Sequence, residues 1–362
     1  MYPRSLMSVL ASACIAAASG VPAAAAPVAD PMTRPALMAR HPAKAYLAGV
    51  THAGTRLVAV GERGIVVLSD DGGKSWRQAK VPTSVTLAAV QFPTPTQGWA
   101  VGHHGVVLHS ADGGETWTRQ LDGVQAAGLV LRDARSGAGA GSEAYLLEAQ
   151  RLVADGPDKP FLALHFSDAS NGIVVGAYNL AFQTRDGGKT WTPLSGRLAN
   201  PRAAHLYAVH ASGAYIYIAG EQGLVLRSTD GGQRFARLAT PYQGSFFSMD
   251  RIGNDIVLAG LGGNVFRSGD GGVTWHKIAV PVPASITAVR AGGGRLLMTS
   301  QAGMLLASAE GAAAAEALKS PPMPPLNDVL AQPDGSLVAV GMTGAVRLPA
   351  PSGATPVSMA AR

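Results

Sequence analysis

The sequence predicts an all-β protein, a seven-bladed β-propeller of four-stranded antiparallel blades, with one loop-plus-helix insertion between blades two and three. Three observations predict it. A cassette containing Asp-Gly-Gly recurs along the chain, and a glycine corner of the form G-x-x-G precedes each copy, with Asn179 in place of the second glycine in the third unit. The composition, with 45 glycines and only 14% charged residues, is typical of many short strands joined by tight turns. Regular repetition of this kind indicates a repeat architecture.

The cassette has the form S-x-D-G-G-x-[ST]-W, with four good copies and one degenerate copy that ends in Phe235. Its Asp can accept backbone N–H groups within the turn, and the Gly-Gly pair supplies positive φ angles. The aromatic residue then begins the next strand and packs against a neighbouring unit. The alternating oxygen ligands of a calcium loop are missing, so we predict a structural role rather than calcium binding or catalysis. The residues concerned are Asp71, Trp76, Asp112, Trp117, Asp186, Trp191, Asp230, Asp270 and Trp275.

The glycine corners give the number of blades. Their spacings are 41, 74, 44, 40, 40 and 41 residues, and only the 74-residue interval requires an insertion. Four short strands per unit cannot bury their faces alone, whereas radial stacking into a closed ring can. Seven corners therefore predict seven blades. The corners start at Gly61, Gly102, Gly176, Gly220, Gly260, Ser300 and Gly341.

The predicted propeller occupies residues 44–351. Blades six and seven lack the cassette, and the last blade is expected to borrow a strand from a terminus. Residues 27–43 are therefore interpreted as an N-terminal tether or as the strand that completes blade seven. Residues 352–362 are interpreted as a C-terminal tail or as that same closing strand. Within these segments, residues 32–40 and 352–360 are the two candidates for the strand.

The insertion covers residues 122–159. Its first half is rich in Gly, Ala and Arg and is interpreted as a loop, although Leu129–Arg132 resembles a strand. In its second half, Ser142 is the expected N-cap of an amphipathic helix that extends to Ala154. The apolar face of that helix is formed by Tyr145, Leu146, Ala149, Leu152 and Val153.

The N-terminus predicts export. Arg4, the apolar stretch 6–18 and the small residues 21–26 are typical of a secretory signal peptide, assigned to residues 1–26. The only cysteine, Cys14, lies inside it, in a weak lipoprotein-like box where Ala11 replaces the usual Leu. We therefore expect a periplasmic or extracellular protein, without lipid anchoring and without disulfides. The net charge of +6 is spread without a basic block, which argues against nucleic acid.

One unit carries a family resemblance most clearly. Gly98-Trp99-Ala100-Val101-Gly102-x-x-Gly105, then an apolar strand, then the Asp-Gly-Gly cassette resembles the photosystem II stability/assembly factor propellers. The cassette itself is the Asp-box, or bacterial neuraminidase repeat. The resemblance covers residues 44–349. It implies a non-catalytic scaffold of photosynthesis that binds a membrane protein or its precursor during assembly.

A partner site is expected on the face that carries the glycine corners and the links between blades, by analogy with other propellers. The expected partner is a protein or peptide. We expect the propeller itself to be a monomer, and we expect no cofactor or metal. His103 and His104 are adjacent on a turn without a third ligand, which argues against a metal. Tyr242 and Gln243 stand in an unusual link, with the alternative that Tyr242 only caps the core beside Phe246. The candidate residues are Glu62, Arg63, His103, His104, Tyr178, Glu221, Gln222, Tyr242, Gln243 and Gln301.

The alternative function is a glycoside hydrolase of the sialidase, Asp-box type. That chemistry needs an arginine cluster that clamps a carboxylate, a Tyr–Glu nucleophile pair and an acid. On the predicted innermost strands, acidic residues are few, chiefly Asp250 and Asp328, and the arginines Arg251 and Arg290 stand near strand ends. We therefore predict no catalytic residues.

Overall fold

The computed structural model describes residues 29–137 and 143–351, and they form the predicted seven-bladed propeller. The signal peptide 1–26 with Cys14, the N-cap Ser142 and the tail 352–362 lie outside the described residues. Six blades are four-stranded antiparallel meanders, and blade seven has three described strands. The two predicted elements, propeller and insertion, therefore account for the described chain from residue 44 onward.

The strands follow one another along the chain from the centre of each blade to its rim. Blade one contains β1 (Leu47–Ala53), β2 (Arg56–Gly61), β3 (Val66–Ser69) and β4 (Arg77–Gln78). Blade two contains β5 (Leu87–Gln91), β6 (Gly98–Gly102), β7 (Val107–Ser110) and β8 (Thr118–Leu121). Blade three contains β9 (Phe161–Phe166), β10 (Gly172–Gly176), β11 (Ala181–Thr184) and β12 (Thr192–Pro193). Blade four contains β13 (Leu206–Ser212), β14 (Tyr215–Gly220), β15 (Val225–Ser228) and β16 (Ala236–Arg237).

The last three blades follow the same plan. Blade five contains β17 (Phe246–Ile252), β18 (Asp255–Gly260), β19 (Val265–Ser268) and β20 (His276–Ile278). Blade six contains β21 (Ile286–Gly292), β22 (Arg295–Ser300), β23 (Leu305–Ala309) and β24 (Glu316–Ala317). Blade seven contains β25 (Leu326–Ala331), β26 (Leu337–Gly341) and β27 (Gly344–Leu348).

The first strand of every blade lies at the centre, and these seven strands form a closed ring in which β25 lies against β1. Side chains join the two ends: Asn327 Nδ2 donates to Leu47 O at 2.7 Å, and the Val50 N–H donates to Asp328 Oδ2 at 3.1 Å. At the rim, Arg347 Nε donates to Gly72 O in the cassette of blade one. Side chains of blade seven thus fasten it to the backbone of blade one.

Neighbouring blades share their apolar cores. Between blades two and three, the fully buried rings of Trp99 and Phe166 stack with centroids 3.9 Å apart, and Trp191 meets Phe166 edge-on. Strand alternation supplies one apolar face to each side of a blade, and burying both faces requires a blade on either side. This mutual burial is why a single repeat is not an independent unit.

The strand registers separate two faces of the ring. In each blade the second strand ends at the glycine corner, and in blades one to five the cassette follows the other end of the third strand. We call the side of the corners and blade links the corner face and the opposite side the cassette face. A side chain at the first corner position is excluded in blade two, because a Cβ on Gly102 would lie 2.2 Å from Thr86 O.

The N-terminal segment lies on the corner face of blade one. The Ser84 N–H donates to Pro31 O at 2.9 Å, and the Ala36 N–H donates to Val81 O at 3.1 Å. Met32 packs on the core shared by blades one and two. The segment therefore lies beside blade one and not in the sheet of blade seven, whereas residues 352–360 lie outside the described residues.

The insertion is more helical than expected. Its first half, interpreted above as a loop, is α1 (Gly123–Ser136), and it includes the strand-like stretch Leu129–Arg132. Asp122 and Gln125 form a capping box at its start, a local signal that outweighs the glycine content. The second helix, α2 (Glu143–Asp155), buries Tyr145 and Ala149 as predicted, whereas Val153 is 45% exposed.

Candidate functional site

The ten predicted partner-binding residues all lie on the corner face. Two of them, Glu62 and Glu221, also hold the backbone. Glu62 Oε1 accepts the Tyr46 N–H at 3.1 Å, and Glu221 Oε2 accepts the His205 N–H at 2.9 Å. Each corner glutamate thereby caps the chain as it enters the innermost strand of its own blade. Their carboxylates are half-buried and partly committed to the fold.

Tyr178 occupies the most prominent position on this face. Its side chain is 56% exposed, and its backbone is left-handed with φ of 52°. The Tyr178 N–H donates to His205 Nδ1 at 3.1 Å, and the two rings meet edge-on with centroids 4.6 Å apart. Lys159 Nζ lies 5.2 Å from the ring centroid on the face of the ring. A left-handed non-glycine residue costs energy, and the His205 hydrogen bond offsets part of that cost.

The aromatic contacts continue from Tyr178 to the mouth of the central channel. His205 lies 6.3 Å from Tyr207, and Tyr207 lies 5.5 Å from Phe247, measured between ring centroids. We call Tyr178, His205, Tyr207 and Phe247 the aromatic row. It crosses blades three, four and five, and its last three members are half-buried. Burial, followed by the nearby Glu221 carboxylate, raises the pKa of Tyr207 to about 12.

Sequence reasoning missed Lys159, His205 and Tyr207 as members of this site. A usable signal exists for Tyr207 and Phe247, because both occupy the bulge that follows the first paired residue of the innermost strand. The same position is Ala48 in blade one and Ala88 in blade two. Large rings at this position therefore distinguish one side of the channel mouth.

The remaining candidates are dispersed over the face. Gln222 is exposed and left-handed, and its Oε1 accepts a hydrogen bond from Arg202 at 3.1 Å. Arg63 and His104 have the equivalent left-handed backbone on blades one and two. Gln301 is exposed on blade six. The structure thus brings Tyr178, Glu221 and Gln222 to one side of the ring and leaves the candidates of blades one, two and six apart from them. His103 is exposed on blade two, and Gln243 is exposed in the link beside the corner of blade four.

Tyr242 is half-buried in the link between blades four and five. Its hydroxyl donates to Leu261 O at 2.9 Å, and its ring lies edge-on to Phe246 at 5.4 Å. The ring also faces Phe266 at 6.0 Å. These contacts agree with the alternative that Tyr242 caps the core of blade five.

The five cassettes on the cassette face use their carboxylates internally. In blade three, Thr184 Oγ1 and the Thr190 N–H both donate to Asp186 Oδ1, and Thr190 Oγ1 donates to Asp186 Oδ2 at 2.6 Å. These hydrogen bonds, led by that of the Thr190 hydroxyl, lower the pKa of Asp186 to about 2. The arrangement recurs at Asp71, Asp112 and Asp270, and at Asp230 without the last hydroxyl. Each carboxylate serves its own turn.

The central channel contains the acidic residues considered for catalysis. Asp328 is 2% exposed and accepts from Arg290 Nε at 2.7 Å and Arg290 Nη2 at 2.5 Å. Asp250 Oδ2 accepts the Ala291 N–H of the next blade at 2.7 Å. Both carboxylates therefore connect neighbouring innermost strands.

Two histidines on the neighbouring innermost strands β9 and β13 contact each other. The rings of His165 and His210 lie 4.6 Å apart between centroids. Burial, and then the neighbouring His210, lower the pKa of His165 to about 3, so this ring is neutral at physiological pH. In the described ranges, no three His, Cys, Asp or Glu side chains are placed to hold a metal ion. Neither described helix has the length and apolar character needed to cross a membrane.

Comparison with known proteins gives the family likeness. Residues 69–131 and 149–243 match the family described as Photosynthesis system II assembly factor YCF48. A curated relative, the Photosystem II assembly lipoprotein Ycf48 of Synechococcus sp. (strain CC9902), is 37% identical over 76 residues. The resemblance predicted from the sequence is confirmed: this chain is similar to the photosystem II assembly factor propellers. The aligned part is 21% of this chain and 23% of that relative, less than a quarter of its length.

Solved structures share the fold at low sequence identity. The structure of YCF48 bound to D1 peptide has a TM-score of 0.61 at 16% identity, covering 88% of this chain and 99% of that one. The GH74 enzyme of Niastella koreensis has a TM-score of 0.61 at 14% identity, covering 91% of this chain and 55% of that enzyme. One propeller architecture thus carries both a peptide-binding and an enzymatic protein, and the fold does not distinguish between them.

Proposed function

We propose that this protein is an exported, non-catalytic scaffold that binds a protein or peptide partner on its corner face. Through that partner it would assist the assembly or stability of a membrane-associated complex. The observation that carries the proposal is the aromatic row, headed by the exposed Tyr178 between Lys159 and His205. Residues of this type supply much of the binding energy in protein interfaces.

Contacts within the protein restrain the exposed ring of the aromatic row before a partner binds. The cation–π contact of Lys159 contributes about 0.5–1 kcal/mol at such an exposed position, and the His205 contact restrains the Tyr178 ring further. A restrained aromatic side chain loses little conformational entropy when a partner covers it. The row also leads from the exposed corner to the half-buried channel mouth, so it offers a continuous apolar path to an extended chain.

The proposed partner is a membrane protein or its precursor. This part of the proposal is supported by similarity to YCF48, which has been solved bound to D1 peptide, and to a photosystem II assembly lipoprotein. On the same basis we propose a role in assembly of photosystem II or of a comparable membrane complex. We further propose that the protein acts as a monomer and binds no nucleic acid.

The test is a pull-down from membrane extract with Tyr178→Ala. Tyr215 provides a matched control, because it is 52% exposed but begins β14 at the cassette face. We expect Tyr178→Ala to lose a defined partner that the wild type and Tyr215→Ala both retain. Equal recovery of that partner by all three proteins would contradict the assignment of the corner face.

The alternative, a glycoside hydrolase, is supported by the fold shared with a GH74 enzyme. Glycosidase chemistry needs two carboxyl groups free to act on a sugar. The engagement of Asp328 with Arg290, and of Asp250 with a backbone N–H, argues against it. Turnover of a fluorogenic glycoside panel by the wild type, abolished by Asp250→Asn, would favour the enzyme over the scaffold.

Export and the fate of Cys14 are tested together. We propose cleavage after the small residues 21–26, which removes Cys14, although the curated relative is a lipoprotein by name. The mature protein, purified from its natural host, should then have the same mass in the wild type and in Cys14→Ser. A lipid-sized mass on Cys14 in the wild type alone would show anchoring instead.

A further inference from the structure

The N-terminal segment on blade one carries two neighbouring apolar side chains that the fold leaves uncovered. Leu37 is 69% exposed and Met38 is 66% exposed. Among the large exposed apolar side chains of the described residues, only these two are consecutive in the chain. Single apolar side chains at a surface are ordinary, whereas adjacent ones form a patch that a partner can cover. We call Leu37 and Met38 the apolar pair.

Hydrogen bonds fix the backbone on either side of the apolar pair. Gln78, on the outer strand of blade one, binds the segment with both ends of its side-chain amide. Its Nε2 donates to Leu37 O at 2.9 Å, and its Oε1 accepts the Ala39 N–H at 2.8 Å. Just before the pair, the Ala36 N–H donates to Val81 O in the link to blade two. The propeller thus holds the backbone of the apolar pair in place while both side chains stay exposed.

The charged side chains around the apolar pair are mostly cations. The segment itself contains Arg34, Arg40 and Lys44, and the link on which it lies contains Lys80. We call these residues the four cations. Among the described residues, none of them forms an ion pair with a carboxylate. The Arg34 guanidinium binds a neutral group instead, because its Nε donates to Ser84 Oγ at 3.0 Å.

Half of the net charge of the chain lies on this small part of the surface. Residues 29–46 and 79–86 carry the four cations against a single carboxylate, Asp30, which is a net charge of +3 with histidine neutral, and the whole chain has +6. Asp30 is engaged in its own turn, because its Oδ1 accepts the Met32 N–H at 2.9 Å. The sequence contains no basic block, so the fold collects these charges by laying the segment along the link.

An apolar pair beside uncompensated cations suits an anionic lipid surface. Apolar side chains enter the boundary between headgroups and acyl chains, while Lys and Arg attract anionic headgroups. A stable protein interface requires about 800 Å² of complementary surface on each partner, whereas a fluid bilayer needs no matching shape. The segment also follows the predicted signal peptide directly, and export brings such a segment to a membrane surface.

We propose that the N-terminal segment docks this protein on a phospholipid surface with anionic headgroups. The apolar pair enters the boundary between headgroups and acyl chains, and the four cations bind the headgroups around it. The aromatic row lies on blades three to five, so the two surfaces share no residue. The inference therefore adds lipid binding to the proposed function and does not depend on the identity of the protein partner.

The test is flotation of the mature protein with vesicles of phosphatidylcholine, and with vesicles of equal parts phosphatidylcholine and phosphatidylglycerol. We expect the protein to bind the anionic vesicles roughly tenfold more tightly or better, and this preference to weaken as salt is added. Leu37→Ser with Met38→Ser should weaken binding to the anionic vesicles about tenfold, because it removes the apolar contact. Arg40→Gln with Lys44→Gln should weaken that binding about tenfold as well and reduce its dependence on salt.

The matched controls lie on the cassette face. Tyr215→Ser with Val273→Ser removes two exposed apolar side chains there, and Lys74→Gln with Lys189→Gln removes two exposed cations. Both controls should bind the anionic vesicles as the wild type does. Because all of the substituted side chains are exposed, we expect thermal melts like that of the wild type, which separates a lost contact from a folding defect.

Equal binding to both kinds of vesicle, or unchanged binding by either N-terminal double variant, would overturn the inference. Loss of the pulled-down partner by Leu37→Ser with Met38→Ser, at unchanged vesicle binding, would assign the apolar pair to a protein contact and would overturn it too. If vesicle binding fails while the pull-down still depends on Tyr178, this inference alone is wrong. If both fail, the proposed function is wrong as well.

Discussion

Replacing Asp328 by alanine should weaken the junction at which blade seven meets blade one. Its carboxylate accepts two hydrogen bonds from Arg290, a third from the Val50 N–H across the junction and a fourth from its own neighbour, the Val329 N–H. The Asp328 side chain is 3% exposed, so little water is present to replace the lost acceptor. The substitution therefore leaves one cation and two backbone donors without their partner.

The expected magnitude follows from burial. Removing one member of a buried ion pair costs about 3–5 kcal/mol, because the remaining charge stays without compensation. Since the Arg290 side chain is 42% exposed, water screens part of its charge, and we expect a loss in the lower part of that range. For roughly 320 folded residues, a loss of about 3 kcal/mol lowers the melting temperature by roughly 4–5 °C.

The assay is urea unfolding with a parallel thermal melt. The matched control is Asp158→Ala, which removes an aspartate that is 63% exposed and pairs with Lys159. That surface pair should contribute less than about 1 kcal/mol. A free energy of unfolding for Asp328→Ala within about 1 kcal/mol of the wild type, like the control, would refute the view that side chains of blade seven close the ring.

Two further predictions concern blade packing and the cassettes. Trp99→Ala should lower the free energy of unfolding by about 3–5 kcal/mol, because it removes a buried ring stacked on Phe166. Urea unfolding measures this loss of stability. A loss below about 1 kcal/mol would contradict the prediction. The pKa of Asp186 is lowered to about 2 in the folded protein, so its ionised carboxylate stabilises the fold above about pH 4 and this contribution disappears as the pH falls towards 2. The stability difference between the wild type and Asp186→Asn, followed by urea titration, should therefore shrink over that interval; a constant difference would exclude the mechanism.

The fold was predictable because its determinants are local and repeated. An Asp-Gly-Gly turn and a glycine corner each act within a few residues, and their regular return along the chain gives the number of blades. In the first half of the insertion, amino-acid composition alone predicted the wrong secondary structure. Glycines and arginines indicated a loop there, whereas the Asp122–Gln125 capping box and the apolar side at Ala126 and Val130 form α1.

The sequence predicted on which face of the propeller the candidate site lies, but it did not predict which side chains contact one another there. Tyr178 follows from its corner position, but its contact with Lys159 depends on where the insertion returns to blade three. The contact of Tyr207 with Phe247 joins adjacent blades. No local pattern predicts the orientation of such rings, because it depends on how two separately formed sheets pack.

The amino-acid sequence by itself determined the blade, the number of blades and the side of the ring on which corners and cassettes lie. Turn chemistry and strand alternation act between near neighbours in the chain, and a period of about forty residues repeats them. Only the tertiary structure decided that Asp328 meets Val50 and that the N-terminal segment lies along the link that follows blade one. Those contacts join residues far apart in the chain, and radial packing of the blades sets their distances.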